Sequence, residues 1–212
     1  PEYYKSSTEI VRAVLDIEHL EQLGAETDLI VALQNERGGG EQLTRVLLYK
    51  TGGRADLSAL MPVLEALGLV VVEEVPVRVA ADGESDIFIH DFGVVGPGGD
   101  ALDVTAGGER VADAITPVWH GETESDRLDR LVVLAGLTWR EVSWLRAMRT
   151  YLLRVSAGFT LDYQNDAFAA NPGIARDLVR YFELRHDPGA PRDEVAEAEL
   201  RMGILDQLDA VP

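Results

Sequence analysis

The chain has 212 residues, which at a typical domain length of about 150 residues makes one large domain or two small ones. It contains no cysteine, which excludes disulfide bonds, thiolate zinc sites and a thiol nucleophile and fits a reducing, cytoplasmic compartment. The 37 Asp and Glu residues outnumber the 19 Lys and Arg residues and give a formal net charge of −18. Because nucleic acids bind proteins mainly through Lys and Arg, we expect neither a nucleic-acid partner nor an anionic membrane surface.

The ends and apolar runs of the sequence show no targeting signal. No apolar run reaches the roughly 18 residues of a transmembrane helix. The first residues, PEYYKSST, lack the basic and apolar regions of a signal peptide and also an initiator methionine. We therefore expect a chain that is processed or cut from a longer one.

Hydrophobic periodicity predicts six elements in the first half, in the order α-β-β-α-β-β. The predicted helices span residues 6–24 and 56–67, and the predicted strands span residues 29–33, 43–49, 69–79 and 86–95. Glycine-rich or polar segments at residues 37–40 and 81–83 predict the turns of two hairpins.

Local signals refine the boundaries of these elements. Residues 6–9 have the S-x-x-E form of a capping box, and Gly24 is a candidate left-handed C-cap for the same helix. Ile10, Val14, Ile17 and Leu20 place an apolar stripe along it. In the third strand, the continuous LVVV run at residues 69–72 predicts a fully buried end, and Pro76 indicates an edge position.

The second half is predicted to be entirely helical. The helices span residues 110–119, 126–134, 138–155, 161–170, 174–185 and 191–208, with a second capping box at residues 138–141 and Pro191 in the first turn of the last helix. Residues 96–99 (GPGG) mark the break between the halves. Strands followed by helices indicate an α+β fold with domains at residues 1–104 and 105–212, not a doubly wound sheet.

No motif in the chain specifies catalysis. The four histidines lie far apart without metal-ligand spacing, and adjacent His90 and Asp91 point to opposite faces of a strand. No dinucleotide fingerprint or P-loop is present, and the glycines at residues 38–40 precede a strand rather than a helix. Glu194, Glu197 and Glu199 are interpreted as a solvated face. The three tryptophans are interpreted as core side chains, with the lining of a pocket as the alternative. We therefore predict no catalytic, cofactor-binding or metal-binding residue.

Several segments in order resemble the large-type, NAD-specific glutamate dehydrogenases of bacteria. The segment that resembles the family most closely is LAGLTWREV at residues 134–142, and the others are LMPVLEALGL at 60–69, IHDFG at 89–93, WHGE at 119–122 and FELRHDP at 182–188. Each is weakly specific alone, whereas their order over roughly residues 3–188 is specific. The family's chains are much longer, with the NAD and glutamate sites C-terminal to this region.

The resemblance implies an internal, non-catalytic piece of such an enzyme, holding an ACT-like module and helical segments. The parent enzyme would convert L-glutamate and NAD to 2-oxoglutarate, ammonium and NADH in the cytoplasm. The module would be a ferredoxin-like antiparallel sheet of four strands with helices on one face, either the helix at residues 110–119 or that at 6–24 serving as the second.

The resemblance also suggests a site and partners. The family's effector position falls on Thr51, Gly52, Gly53, Arg54 and Asp56, although these residues do not reproduce the usual D-x-x-G pattern. The expected partners are the rest of the parent chain, a homo-oligomer and an amino-acid effector. The alternatives are a free amino-acid sensor, in which Gly52 and Gly53 form the ligand loop, or a protein-docking module built from the helical half.

Overall fold

Four antiparallel strands form one sheet in the order β1-β2-β4-β3. The computed structural model describes residues 4, 8–24, 27–36, 42–79, 86–155 and 158–211. The first compact unit, Pro1–Ser125, contains α1 (Ile10–Gln22), β1 (Leu29–Asn35), β2 (Thr44–Lys50), α2 (Leu57–Ala66), β3 (Val70–Val79), β4 (Ile87–Val95) and α3 (Val104–Trp119). The predicted α+β class with an ACT-like sheet is confirmed.

The second unit, Asp126–Pro212, is helical in its described part. It contains a 3₁₀ turn at Arg127–Arg130 followed by α4 (Leu131–Leu134), α5 (Trp139–Val155), α6 (Leu161–Ala170), α7 (Pro172–His186) and α8 (Glu194–Asp209). The compact units divide after Ser125, so α3 lies with the sheet, whereas the predicted division falls after residue 104. No helix in the described part of the chain is long and apolar enough to span a membrane.

The sheet order explains how an ACT-like core is completed. From β2 to α3 the chain supplies a β-α-β-β-α series, and β4 pairs between β2 and β3. The remaining edge next to β2 is filled by β1, which precedes the core in sequence and pairs with β2 from Leu29↔Lys50 to Asn35↔Thr44. The predicted role of the first strand, reached through a hairpin, is therefore confirmed, while the turn at residues 37–40 lies outside the described residues.

The two faces of the sheet carry different helices, because consecutive strand residues point to opposite sides. The major face, which includes Val46, Leu48 and Phe92, lies against α2 and α3. The minor face is a buried cluster of Leu47, Tyr49, Val77 and Ile89, and α1 packs there, with His19 stacked on Tyr49 at 4.8 Å. Of the two helices offered by the sequence, α3 therefore shares a face with α2, and α1 covers the other face.

Helix α1 meets the sheet through both polar and apolar side chains. Asp16 is 1% exposed, whereas Ile10, Val14 and Ile17 are 84%, 50% and 53% exposed. These three residues of the predicted apolar stripe therefore face outward, whereas its fourth, Leu20, packs against the minor-face cluster. The helix begins after Glu9 without a side-chain cap and ends at Leu23 in an extended conformation, so the expected left-handed cap at Gly24 is wrong. Ser6 and Ser7 of the predicted capping box lie outside the described residues.

Two other expectations fail because of edge position and helix packing. Val70 and Val72 of the LVVV run are more than half exposed, since β3 is an outer strand and only Leu69 is buried at its entry. Pro76 lies on this edge strand as predicted. Helix α3 begins at Val104 behind the N-cap Asp103, earlier than the predicted residue 110. Gly108 lies within this helix, and a larger residue there would be crowded, because a Cβ would lie 2.8 Å from Val104 and 3.5 Å from Leu33.

The helical unit follows its capping signals closely. Glu141 accepts from the Thr138 N–H at 2.6 Å and Thr138 Oγ1 accepts from the Glu141 N–H at 3.3 Å, which confirms that capping box. Asn171 ends α6 and begins α7, with Pro172 at the first helical position. The last helix begins at Glu194 behind the N-cap Asp193, so Pro191 precedes its first turn, contrary to the prediction.

Candidate effector site

The loop from Thr51 to Asp56 joins the end of β2 to the start of α2. Gly52 and Gly53 have φ of +73° and +114°, a region that side-chain-bearing residues rarely adopt. A Cβ at either glycine would meet no atom within 4 Å, so backbone conformation rather than crowding requires glycine here. Asp56 caps α2 by accepting the Ser58 N–H at 2.9 Å, as predicted.

A buried histidine supports the loop from beneath. His90 Nε2 accepts the Ala55 N–H at 3.0 Å, and His90 Nδ1 lies 2.9 Å from Glu74 Oε1. Because a backbone N–H can only donate, Nε2 must carry the lone pair. Nδ1 therefore carries the proton and donates a hydrogen bond to Glu74. The imidazole is therefore neutral and its tautomer is fixed. No sequence signal pointed to this contact, since Ala55 and His90 lie far apart in the chain.

Charged groups of both signs surround the loop. Arg54 pairs with Glu74 at 3.4 Å, and Lys50 Nζ donates to the Thr51 carbonyl at 2.8 Å while lying over the Trp119 ring. The Thr51 N–H donates to the carbonyl of Asp28 at 3.1 Å. The loop is thus bracketed by two cations and by the carboxylates of Glu74 and Asp28.

The Asp28 carboxylate has its own partner from the end of α3. His120 Nε2 lies 2.9 Å from Asp28 Oδ1, and this hydrogen bond lowers the pKa of Asp28. Lys50 adjoins the loop in sequence, whereas Asp28 and His120 were not predicted as its neighbours, because strand pairing and the end of α3, not sequence proximity, bring them there. The structure places all five predicted effector residues in this one loop. The two cavities described below are lined by other residues, so the effector role of the loop stays a prediction.

A polar network joins α1 to the minor face. The Tyr49 hydroxyl donates to Asp16 Oδ1 at 2.5 Å, and the Tyr4 hydroxyl donates to Asp16 Oδ2. Burial, and then the bond to Asp16, raises the pKa of both phenols. Arg12 of the same helix pairs with Asp91 at 2.6 Å. His90 and Asp91 therefore serve opposite faces, as predicted, and this network holds α1 rather than forming a reactive pair.

A second network holds the helical unit together. Arg149, which is 5% exposed, donates to Asp126 at 2.6 Å and to Asn165, and Arg146 pairs with Asp129. Burial opposes ionisation of Asp126, but the Arg149 bond, the Leu128 N–H and the two arginine charges together lower its pKa. These contacts pair charged side chains inside the unit.

The environments of a glutamate and two tryptophans in the helical unit differ from the predictions. Glu197 is buried, with Arg192 at 2.9 Å and Arg185 at 3.2 Å, so the predicted solvated face of α8 is wrong at this residue. Trp139 and Trp144 are half-buried rather than core residues, and Trp144 lies 5.4 Å from Phe182. A cavity of about 590 Å³ lies beside α7 and is lined in part by Trp144, Arg180, Phe182, Glu183 and His186. No group of three or more His, Asp or Glu residues in the described part of the chain could hold a metal ion.

Two family models of known proteins together match most of the chain. Residues 28–106 match the family model described as glutamate dehydrogenase, ACT3 domain, and residues 123–188 match glutamate dehydrogenase, helical motif 3. The chain is 35% identical over 203 residues to an NAD-specific glutamate dehydrogenase of Pseudomonas aeruginosa. It is 33% identical over 215 residues to one of Halomonas elongata and 33% identical over 193 residues to one of Mycobacterium tuberculosis.

The lengths of these relatives differ greatly from that of the chain. The three alignments cover 94%, 100% and 88% of the chain but only 12%, 13% and 12% of the relatives. The chain thus spans about an eighth of their length. The ACT3 match covers all four strands of the sheet and the loop from Thr51 to Asp56.

Proposed function

Because the chain belongs to the NAD-specific glutamate dehydrogenases, as the part that carries their ACT3 domain and helical motif 3, we propose that it is a non-catalytic, regulatory and scaffolding part of a longer enzyme. That enzyme oxidatively deaminates L-glutamate to 2-oxoglutarate and ammonium in the cytoplasm. The observation that carries the proposal is the ACT3 match over a complete four-stranded sheet.

The nicotinamide cofactor belongs to the remainder of the enzyme. The sequence carries no dinucleotide fingerprint, and the glycines at residues 38–40 precede a strand in sequence rather than a helix. We therefore assign no step of the reaction to this chain. Its contribution is to bind an effector, to contact other parts of the enzyme, or both.

The regulatory half of the proposal concerns the loop of Thr51, Gly52, Gly53, Arg54 and Asp56. A free amino acid carries one ammonium and one carboxylate, and the loop offers both complements. Lys50 and Arg54 supply positive charge, and Asp28 and Glu74 supply negative charge. An amino-acid effector is therefore the ligand class that these side chains support.

A thermal melt of this chain against the amino acids, 2-oxoglutarate, NAD and NADH tests the effector role. A ligand at 100 times its dissociation constant adds about 2.7 kcal/mol, which raises the midpoint by roughly 5–10 °C. We expect an amino acid to give this shift and Gly53→Val to abolish it. Gly99→Val is the matched control, because Gly99 also has positive φ, of +85°, and open space around it.

The outcomes separate the alternatives. If the ligand raises the melting midpoint equally in Gly53→Val and Gly99→Val, the ligand does not bind in this loop. A shift with NAD contradicts the assignment of the cofactor to the rest of the enzyme. No shift with any amino acid leaves the scaffolding role and rejects the sensor.

Exposed apolar side chains favour docking as the second candidate function. Tyr151, Val155, Phe159 and Tyr163, at the end of α5 and the start of α6, are 58–68% exposed. Clustered apolar side chains on a surface mark protein contacts. We expect Val155→Glu to weaken assembly of the full-length enzyme in sedimentation velocity, with Val195→Glu, 69% exposed on α8, as its control. Equal sedimentation of both variants and the wild type would reject docking through this surface.

A further inference from the structure

Strand β1 forms an outer edge of the sheet, and half of its backbone groups face away from β2. The Thr51 N–H donates to Asp28 and the Glu36 N–H donates to Leu43, so the even-numbered residues of β1 exchange hydrogen bonds with β2. The N–H and C=O groups of the odd-numbered residues, among them Val31 and Leu33, therefore point outward. No hydrogen bond to these outward groups is found among the described residues.

A cavity of about 560 Å³ lies along the C-terminal half of this edge. We call it the edge groove and define it by its uncharged residues Val11, Leu15, Leu33, Asn35, Val104 and Thr105. Glu9, Arg12, Glu36 and Arg45 add charged side chains to its lining. Its walls come from α1 on the minor face and α3 on the major face, and β1 forms its floor. The groove is therefore an open strand edge flanked by a helix on each face of the sheet.

The two edges of the sheet are protected differently. Exposed strand edges pair with other chains unless charges or proline interrupt them. The outer strand β3 carries Glu73, Glu74, Pro76 and Arg78, whereas β1 reads LIVALQN, with neither a charge nor a proline. An unguarded edge of this composition is typical of a strand that is covered in the complete protein.

We propose that the edge groove receives an extended segment of the same enzyme, from outside this chain, which pairs with β1 as a fifth strand. The inference rests on the proposed function, because the relatives are about eight times longer than the chain and supply that segment. A second copy fits less well, since its own β1 is flanked by α1 and α3, which would meet the same helices here. An extended segment without flanking helices avoids this clash.

The groove also specifies the segment's side chains. Alternate residues of an added strand point to opposite faces of the sheet. Those on the minor-face side meet Val11 and Leu15, and those on the major-face side meet Val104. The segment is therefore apolar where it meets Val11, Leu15 and Val104, and polar or charged where it meets Glu9, Arg12, Glu36 and Arg45. It gains its register from the outward backbone groups of Val31 and Leu33.

Hydrogen–deuterium exchange of the full-length enzyme, resolved to single amides, tests the inference. In the wild type we expect the Val31 and Leu33 amides to be protected like those of Ala32 and Gln34. Leu15→Glu should place a charge in the groove and speed exchange at Val31 and Leu33 about tenfold or more, without changing Ala32. Ile17→Glu is the matched control, because Ile17 is similarly exposed on the same helix but lies outside the groove.

A variant on the opposite wall excludes an effect confined to α1. Thr105→Arg should expose the same two amides, and Ala106→Arg, one residue beyond the groove lining, should not. Rapid exchange at Val31 and Leu33 in the wild type would overturn the inference, as would protection unaffected by both groove variants. Protection that disappears on dilution would replace the internal segment with a second copy.

The enzyme assay keeps the two proposals apart. Glutamate-dependent reduction of NAD by the same full-length preparation tests the proposed function. If the Val31 and Leu33 amides are protected in an inactive protein, the proposed function is rejected and the added strand is supported. If the enzyme is active but these amides exchange rapidly, the added strand is rejected and the proposed function is supported.

Discussion

The most informative single residue is His90, which joins the effector loop to the sheet. Its imidazole accepts the Ala55 N–H, and Ala55 is 3% exposed. We expect His90→Leu to lower the free energy of unfolding by about 1–3 kcal/mol, because a buried N–H loses its acceptor. Urea denaturation measures the loss. His120→Leu, which removes a partly exposed pair with Asp28, should cost about 0–1 kcal/mol. Equal losses would contradict the buried role of His90.

A second residue, Asp126, makes the stability of the helical unit depend on pH. Its folded pKa lies below its ordinary value of 3.8, so the stabilisation is complete above about pH 4 and is lost as pH falls through the folded value. We expect Asp126→Asn, which keeps an N-cap, to be less stable at pH 7 and to lose less stability between pH 6 and 3. Thermal melts across that range, with the exposed Asp162→Asn as control, measure the slope. An unchanged acid slope would contradict the linkage.

At the scale of elements, α1 is held by polar contacts rather than by its apolar stripe. Asp16 accepts from both Tyr4 and Tyr49, and Tyr49 is fully buried. We expect Asp16→Leu to leave these hydroxyls without acceptors and to speed amide exchange throughout α1 while β2 stays protected. Val14→Thr, on the outward side, should leave exchange unchanged. A larger effect of Val14→Thr than of Asp16→Leu would show that the outward stripe holds the helix.

The same helix shows what periodicity could and could not predict. The spacing of Ile10, Val14 and Ile17 predicted a helix correctly, but periodicity cannot say which side meets the sheet. Packing decided it, because Asp16 accepts hydrogen bonds from the buried Tyr49 hydroxyl on the sheet and from the half-buried Tyr4 hydroxyl. The LVVV run of β3 failed for a related reason, since strand order, which the sequence does not state, put it at an edge. Caps at Asp56 and Thr138 were predictable because their partners lie within three residues.

At the scale of the whole molecule, order along the chain was more informative than any motif. The short segments between residues 3 and 188 identified the family because they occur in sequence, and the ACT3 and helical motif 3 matches fall on the same stretch. The effector loop could be located from its place between β2 and α2. Its neighbours Asp28 and His120 could not be predicted, because their proximity to the loop depends on strand register and on where α3 ends.

The excess of negative charge makes a final prediction about the whole chain. A net charge of −18 repels itself in the compact state, and raising the salt concentration shortens the Debye length from about 30 Å at 0.01 M to about 10 Å at 0.1 M. Salt also weakens attractive pairs, but exposed pairs contribute only about 0–1 kcal/mol each, and the buried Arg149–Asp126 pair is screened less. We therefore expect the melting midpoint to rise by about 2–4 °C between 0.01 and 0.2 M sodium chloride.

Tetramethylammonium chloride separates screening from specific binding of sodium in this melt. The same rise with both salts is expected, because screening depends on ionic strength and not on the cation. A rise with sodium alone would indicate a bound cation instead. A midpoint that falls with both salts would mean that attractive pairs such as Arg12–Asp91 and Arg146–Asp129 outweigh the repulsion among the remaining carboxylates. Repulsion among the carboxylates would then lower the stability of the fold less than the ion pairs raise it, and the excess charge would act mainly on the orientation of approaching partners.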